Sequence, residues 1–286
     1  MIPAKFSYVR PESLDEAVQA LDGAGEDTKV LAGGQSLLPL LRLRLAYPEA
    51  IVDLTRLGEL RGVRDEGGHL WIGSGTTHHE LIRDPLVRQH AGLLAQTAAT
   101  VADPAVRHRG TLGGSLAHAD PAADLPATVL TLDGELVVRG PGGERTIPAS
   151  SFFVDYLTSV LRPAEILTGI RIPKTWGGWN FHYEKFCRTA QSWAIVGVAA
   201  AVRRSDGAVA EARLGLTNMG STPLRAQAVE AAVQSSAPGS HDALRAAAAS
   251  ADDGTSPPSD LHGQADYRRH LVRVLTARAL ITASRL

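Results

Sequence analysis

The sequence predicts an α+β protein with a break near residue 175, and three observations carry that prediction. Short β-prone runs alternate with helical segments through the first hundred residues. A glycine-rich stretch, Gly140-Pro141-Gly142-Gly143, lies between two β-prone runs and reads as a hairpin. After the turn-rich segment Pro173-Lys174-Thr175-Trp176-Gly177-Gly178-Trp179, two long β-prone runs are followed by alanine-rich helices. A length of 286 residues also favours two ordinary domains. A chain of this size buries about three quarters of its unfolded surface, so its core needs no disulfide or structural metal.

Each element has a local reason. Ser13-Leu14-Asp15-Glu16 is a capping box, and Leu14, Ala17, Val18 and Leu21 follow at helical spacing until Gly23 and Gly25. Lys29-Val30-Leu31 is β-prone, Leu37 to Leu41 opens a helix, and residues 50–54 read as a strand. Leu70 to Gly73 is a further strand, and a helix-like stretch runs from Glu80 past Pro85 to about Thr100. From Asp103 to Asp124 no clean periodicity is visible. Residues 135–138 and 145–147 flank the hairpin glycines, and residues 165–172 form a strand closed by Pro173. Residues 193–202 and 209–217 face each other across Ser205-Asp206-Gly207, a good hairpin turn. Helices follow at 226–233, 242–251 and 266–283, the last two separated by a polar loop over 250–263.

Composition excludes several function classes. Lys+Arg 29 against Asp+Glu 30 leaves a net charge of −1, without the basic excess of a nucleic-acid binder. Cys187 is the single cysteine, so the chain holds no internal disulfide, Cys-rich zinc site or iron–sulfur cluster of its own. No apolar run is long enough to span a membrane, and Met1-Ile2-Pro3-Ala4-Lys5 has no signal-peptide core. A cytoplasmic location is expected.

The chemistry points to two glycine pairs. Gly33-Gly34 follows a strand and precedes Ser36 and a helix; Gly113-Gly114 precedes Ser115 in the irregular stretch. Paired glycines let backbone amides approach a ligand without a Cβ in the way, and successive amides beside a hydroxyl form a nest for phosphate. One such pair is most often a turn. Two, each followed by serine, suggest the two sides of a pyrophosphate. The dinucleotide fingerprint fails, because Gly73-Ser74-Gly75-Thr76-Thr77-His78 puts His78 where the third glycine belongs, and no P-loop is present.

Ala32-Gly33-Gly34-Gln35-Ser36, Thr111-Leu112-Gly113-Gly114-Ser115 and the stretch Ala119-Asp120-Pro121-Ala122-Ala123-Asp124-Leu125-Pro126 resemble the FAD-binding medium subunit of molybdenum hydroxylases. Residues 165–173 resemble the end of that family's flavin domain. Tyr183-Glu184-Lys185-Phe186 and Asp266-Tyr267-Arg268-Arg269 resemble its C-terminal domain. The resemblance covers essentially the whole chain. It implies a two-lobed vanillyl-alcohol-oxidase-type (PCMH-type) FAD-binding domain over 1–175, with lobes of about 1–57 and 58–175. A small α+β domain with an antiparallel sheet and helices would follow over 176–286.

By resemblance, Lys29, Val30, Leu31, Ala32, Gly33, Gly34, Gln35 and Ser36 would wrap one side of the FAD pyrophosphate. Thr111, Leu112, Gly113, Gly114 and Ser115 would wrap the other. Asp124 would hydrogen-bond the cofactor, Val101 and Leu167 would pack near the flavin ring, and Lys185 would sit at its polar edge, where a cation offsets charge that develops near N1. Gly114→Val is expected to abolish FAD retention, because its side chain would fill the space of a phosphate oxygen. Ser192-Trp193 departs from the family's Asp-containing pattern: Trp193 either covers the flavin or guards its oxidant face, or else anchors the C-terminal sheet. Gln35 stands where the family varies.

Other candidates have plainer readings. His78 and His79 beside Glu80 invite a metal, but adjacent side chains point apart and a structural or capping role is expected. His118, Asp120 and Asp124 lack the nucleophile elbow of a hydrolase. Cys187 is expected as a buried apolar filler. Arg42, Arg44 and the group Arg107-His108-Arg109 are expected to be solvated or partner-facing. Arg268, Arg269, Arg273 and Arg278 are placed on the polar side of the last helix. The resemblance implies an oxidoreductase subunit whose FAD accepts electrons from an iron–sulfur small subunit, served by a large molybdenum cofactor subunit, and passes them to NAD, a quinone or oxygen. The alternatives are a free-standing FAD oxidase or dehydrogenase of the same fold and a non-redox protein binding another phosphorylated ligand.

Overall fold

The computed structural model describes residues 2–25, 27–205, 208–235 and 240–284. The first sheet is parallel. It contains β1 (Ser7–Val9), β2 (Thr28–Leu31) and β3 (Ala50–Asp53), in the order β1-β3-β2, with the crossover helix α1 (Leu14–Asp22) and α2 (Leu37–Leu43). Helix α1 buries Ala17, Val18 and Leu21 against Val52 and Leu54. Ser13 accepts from the Glu16 amide at 3.2 Å, but Glu16 reaches back to the amide of Glu12 and not to that of Ser13.

The second sheet holds β4 (Val63–Asp65), β5 (His69–Gly73), β6 (Glu135–Gly140) and β7 (Gly143–Pro148). The small hairpin β8 (Phe153–Asp155) and β9 (Thr158–Ser159) intervenes before β10 (Ile166–Pro173), and the order is β4-β5-β10-β6-β7, antiparallel throughout. The helix-like stretch past Pro85 is three helices: α3 (His78–Arg83), α4 (Pro85–His90) and α5 (Gly92–Ala99). Asp84 precedes proline and is extended, ψ 126°, as the proline ring requires. Its carboxylate then caps the new helix through the amides of Leu86 and Val87. The irregular stretch contains α6 (Pro104–Arg107) and α7 (Leu112–His118), and α8 (Asp124–Thr131) runs on from its end. A short α9 (Ala149–Phe152) follows the hairpin β6-β7.

The third sheet, β11 (Trp179–Phe186), β12 (Val196–Ser205), β13 (Ala208–Thr217) and β14 (Leu224–Arg225), is antiparallel in chain order. Ser205 pairs with Ala208 as expected of the hairpin, while Asp206 and Gly207 lie outside the described residues. Strand β12 begins at Val196, so Trp193 precedes it; Cys187 lies just past β11 and is half-buried rather than a core filler. Helices α10 (Gln227–Ser235), α11 (His241–Ala248) and α12 (Ala265–Ser284) complete the chain. Side-chain alternation gives the sheet two buried faces. Val196, Val198, Ala200 and Val202 pack on α10 to α12. Tyr183, Ala199 and Ala201 join the core of the second sheet with Leu93, Leu94 and Val129 from α5 and α8.

Arg268 does not lie on the polar side of α12. It is 0 % exposed. Its guanidinium holds both carboxylate oxygens of Asp260 at 2.7 Å and donates to the carbonyl of Ile195. Among the described residues no helix is long and apolar enough to cross a membrane.

Candidate functional site

The β2-to-α2 turn is built on Gly33 and Gly34. Gly34 has φ +75°, a conformation that a side chain disfavours. A Cβ on Gly33 would stand 2.3 Å from the Arg109 carbonyl oxygen and 2.8 Å from the Gly110 Cα, so the turn lies directly against the backbone that enters α7. Among the described residues, none accepts a hydrogen bond from the amides of residues 33–37. The Ser36 hydroxyl makes no cap bond either. Consecutive unpaired amides beside a hydroxyl are a nest for an anion. Lys29, Val30 and Leu31 form the strand that delivers the chain to it, and the Gln35 amide folds back onto the Gly33 carbonyl at 3.3 Å.

The second glycine pair is built differently. Thr111 is the N-cap of α7, and Gly113 and Gly114 lie in its first turn. Its amides already have acceptors: Leu112 donates to Thr76 O, Gly113 to Ser74 O, Gly114 to Thr111 Oγ1 and Ser115 to Thr111 O. A Cβ on Gly114 would be 3.8 Å from the Ala32 Cβ. The structure therefore brings the two loops together, with free amides on the first and a close-packed wall at the second. The space beyond Gly114 holds Thr111 Oγ1, 2.8 Å from a Cβ placed there.

A buried polar cluster forms where α8 meets β11. Asp124, the first residue of α8, accepts from Lys185 Nζ at 2.8 Å and from the Tyr183 hydroxyl at 2.7 Å. Lys185 Nζ also donates to the Thr100 carbonyl at 3.3 Å, and no described residue accepts its third proton. The Lys185 and Asp124 side chains are only 7 % and 4 % exposed. Burial raises the pKa of Asp124, with Lys185 acting against it; burial and the neighbouring Asp124 lift Tyr183 well above an ordinary phenol. Tyr183 was not singled out from the sequence. Its position two residues before Lys185, on the same face of a strand, was the available signal.

Val101 follows Thr100, and the Arg107 guanidinium fixes this turn by donating to the carbonyls of Val101 and Ala102 at 2.8 and 2.9 Å. Arg107 is thus engaged within the chain, in place of the solvated or partner-facing position expected of it. Leu167 is buried on β10. Trp193 is 56 % exposed, which removes the sheet-anchor reading. Its loop is tied down around it: Gln191 donates to Asp103 at 3.0 Å, and Asn218 Nδ2 donates to Ala194 O at 2.8 Å beside the Arg268 bond to Ile195.

His78 and His79 do point apart. His78 is buried against Gly110, and burial with Arg107 nearby lowers its pKa to about 4. His79 stacks on His108 with ring centroids 3.8 Å apart. No group of three His, Cys, Asp or Glu side chains suited to a metal occurs among the described residues.

The chain is similar to known proteins along nearly its whole length. The family profile described as the FAD binding domain in molybdopterin dehydrogenase matches residues 4–175, and that of the CO dehydrogenase flavoprotein C-terminal domain matches residues 181–283. The carbon monoxide dehydrogenase medium chain of Hydrogenophaga pseudoflava is 40 % identical over 283 residues, 99 % of this chain and 98 % of that protein. A subunit of the 6-hydroxypseudooxynicotine dehydrogenase complex of Paenarthrobacter nicotinovorans is 36 % identical, covering 99 % of this chain and 96 % of its own. A solved structure of carbon monoxide dehydrogenase from Hydrogenophaga pseudoflava superimposes with a TM-score of 0.95 at 42 % identity, covering 99 % and 98 % of the two chains. With both profiles matched in order along its length, the chain belongs to the family of FAD-binding flavoprotein chains of molybdopterin dehydrogenases.

Proposed function

We propose that this chain is the FAD-binding medium subunit of a molybdenum hydroxylase, an oxidoreductase component that relays electrons and does not itself transform the substrate. The amides of residues 33–37 would hold the cofactor pyrophosphate, with residues 111–115 as the facing wall. Val101 and Leu167 would border the ring, Lys185 would meet its polar edge, and Trp193 would cover its exposed side. Asp124 would act through Lys185, since both of its oxygens are already engaged within the chain. Bound FAD supplies the two-electron store that connects one-electron and two-electron partners. The electrons would come from an iron–sulfur small subunit served by a large molybdenum subunit. They would leave to NAD, a quinone or oxygen.

The observation that carries this reading is the nest of free amides at residues 33–37, to which the buried Lys185–Asp124 pair adds a cation held elsewhere in the same chain. A lone cysteine supports it, because iron–sulfur ligands must then come from another chain. The relatives named above are subunits or chains of dehydrogenases for different substrates, which agrees with the choice of substrate residing elsewhere. A division at about 175, with lobes of about 1–57 and 58–175, follows the three sheets, and a cytoplasmic location suits the unpaired Cys187. The test is the purified chain: stoichiometric FAD, with co-purifying Cys-rich and large subunits in the native host, is expected. A colourless chain that takes up no FAD would overturn the reading, and turnover of a substrate by the chain alone would favour a free-standing flavoenzyme.

A further inference from the structure

The ammonium of Lys185 is held in place by a chain of buried groups that runs through Asp124 and Tyr183 to Thr217. Tyr183 sits on the same face of β11, and its hydroxyl donates to Asp124 Oδ1 at 2.7 Å. The Thr217 hydroxyl on β13 lies 3.2 Å from the Tyr183 oxygen. Room for that oxygen exists because residue 197 on β12 is glycine: a Cβ there would stand 2.4 Å from it. Gly197 and Thr217 are direct cross-strand partners, so the hydroxyl occupies a slot built by two strands. Tyr183 and Lys185 thus divide the carboxylate, one oxygen each.

We propose that Tyr183 is a positioning residue for electron transfer: by occupying Asp124 Oδ1 it confines Lys185 to Oδ2 and holds the ammonium at the Thr100 carbonyl, where its remaining proton can face the cofactor. The proposal rests on the placement of FAD given above. Without the hydroxyl, Asp124 is free to turn and engage the ammonium with both oxygens. That draws the positive charge away from the ring and weakens its stabilisation of added negative charge.

The test is Tyr183→Phe in the full-length flavoprotein, a change that keeps the buried ring. FAD binding to the oxidised protein is expected to stay within about twofold, while affinity for the reduced cofactor falls about tenfold, a drop of about 30 mV in the two-electron midpoint potential. The same substitution in a Lys185→Met background should produce no further shift, because the ammonium through which Tyr183 acts is gone. An unchanged potential in a folded, FAD-loaded Tyr183→Phe protein overturns the proposal; so does a rise, which would mean that the hydroxyl serves only to keep Asp124 ionised. If Tyr183→Phe does not fold, Thr217→Val replaces it: a shift of about threefold in the same direction supports the proposal and none overturns it. A wild-type protein that binds no FAD defeats the placement of the cofactor, a result distinct from any of these.

Discussion

Gly33 is the residue at which the groove tolerates least. The neighbour of its missing side chain is backbone, the Arg109 carbonyl at 2.3 Å, which cannot turn aside as a side chain could. Gly33→Val should push the free amides away from the 111–115 wall. Overpacking of this kind costs roughly 1–3 kcal/mol, and FAD should be lost on gel filtration while far-UV dichroism is kept; a fully loaded variant would show that the nest does not hold the cofactor. Gly114→Val should also release FAD, but through the Thr111 cap that a side chain there would strike. His78 makes a separate prediction. Its folded pKa is about 4, lowered by burial, against about 6.5 in the unfolded chain. Between those values the unfolded chain takes up a proton that the folded chain excludes. Stability should therefore fall as pH drops through that window, by up to roughly 3 kcal/mol. Urea titrations at pH 7 and 4.5 check this: His78→Asn should flatten the difference, and an identical difference in both proteins would refute it.

At the scale of elements, the buried arginine of α12 is the most consequential contact. Arg268 joins the last helix to Asp260 and to Ile195, the residue that ends the Trp193 loop. Arg268→Met should destabilise the protein by roughly 1–3 kcal/mol, the cost of losing charge-assisted hydrogen bonds to Asp260 and Ile195, and should alter Trp193 fluorescence. Thermal unfolding and emission spectra read the two effects, and an unchanged melting temperature would contradict the role. The sequence showed α12 and its boundaries to within a residue or two, because a long helix carries many periodic positions. It misplaced Arg268, since charge pointed to solvent and the partner Asp260 lay in a loop without periodicity. The hairpin β6-β7 and strand β10 were legible from alternation and turn glycines. Helices α6 and α7 were not, being four and seven residues long and too short to display a period. The break at Asp84 was marked by Pro85, but the recapping by the Asp84 carboxylate needed the structure.

For the whole molecule, the third sheet is the decisive feature. One of its faces completes the core beneath the second sheet through Tyr183, Ala199 and Ala201, and its strand β11 carries Lys185 to Asp124. A fragment comprising residues 1–175 should therefore expose that apolar surface, strip Asp124 of its cation and its phenol partner, and aggregate or bind FAD poorly. Size-exclusion chromatography and FAD titration of the fragment test this, and a monomeric fragment with full FAD affinity would show that the first two sheets suffice. The sequence by itself determined the two glycine pairs, the capped helices, the alternating strands and the absence of iron–sulfur ligands, because each is a local matter of backbone freedom, spacing or residue type. Only the tertiary structure decided that one glycine loop offers free amides while the other is internally satisfied, and that Tyr183, Asp124 and Lys185 meet. Those outcomes depend on which distant carbonyls and carboxylates come within hydrogen-bond reach, and no local pattern in the chain records that.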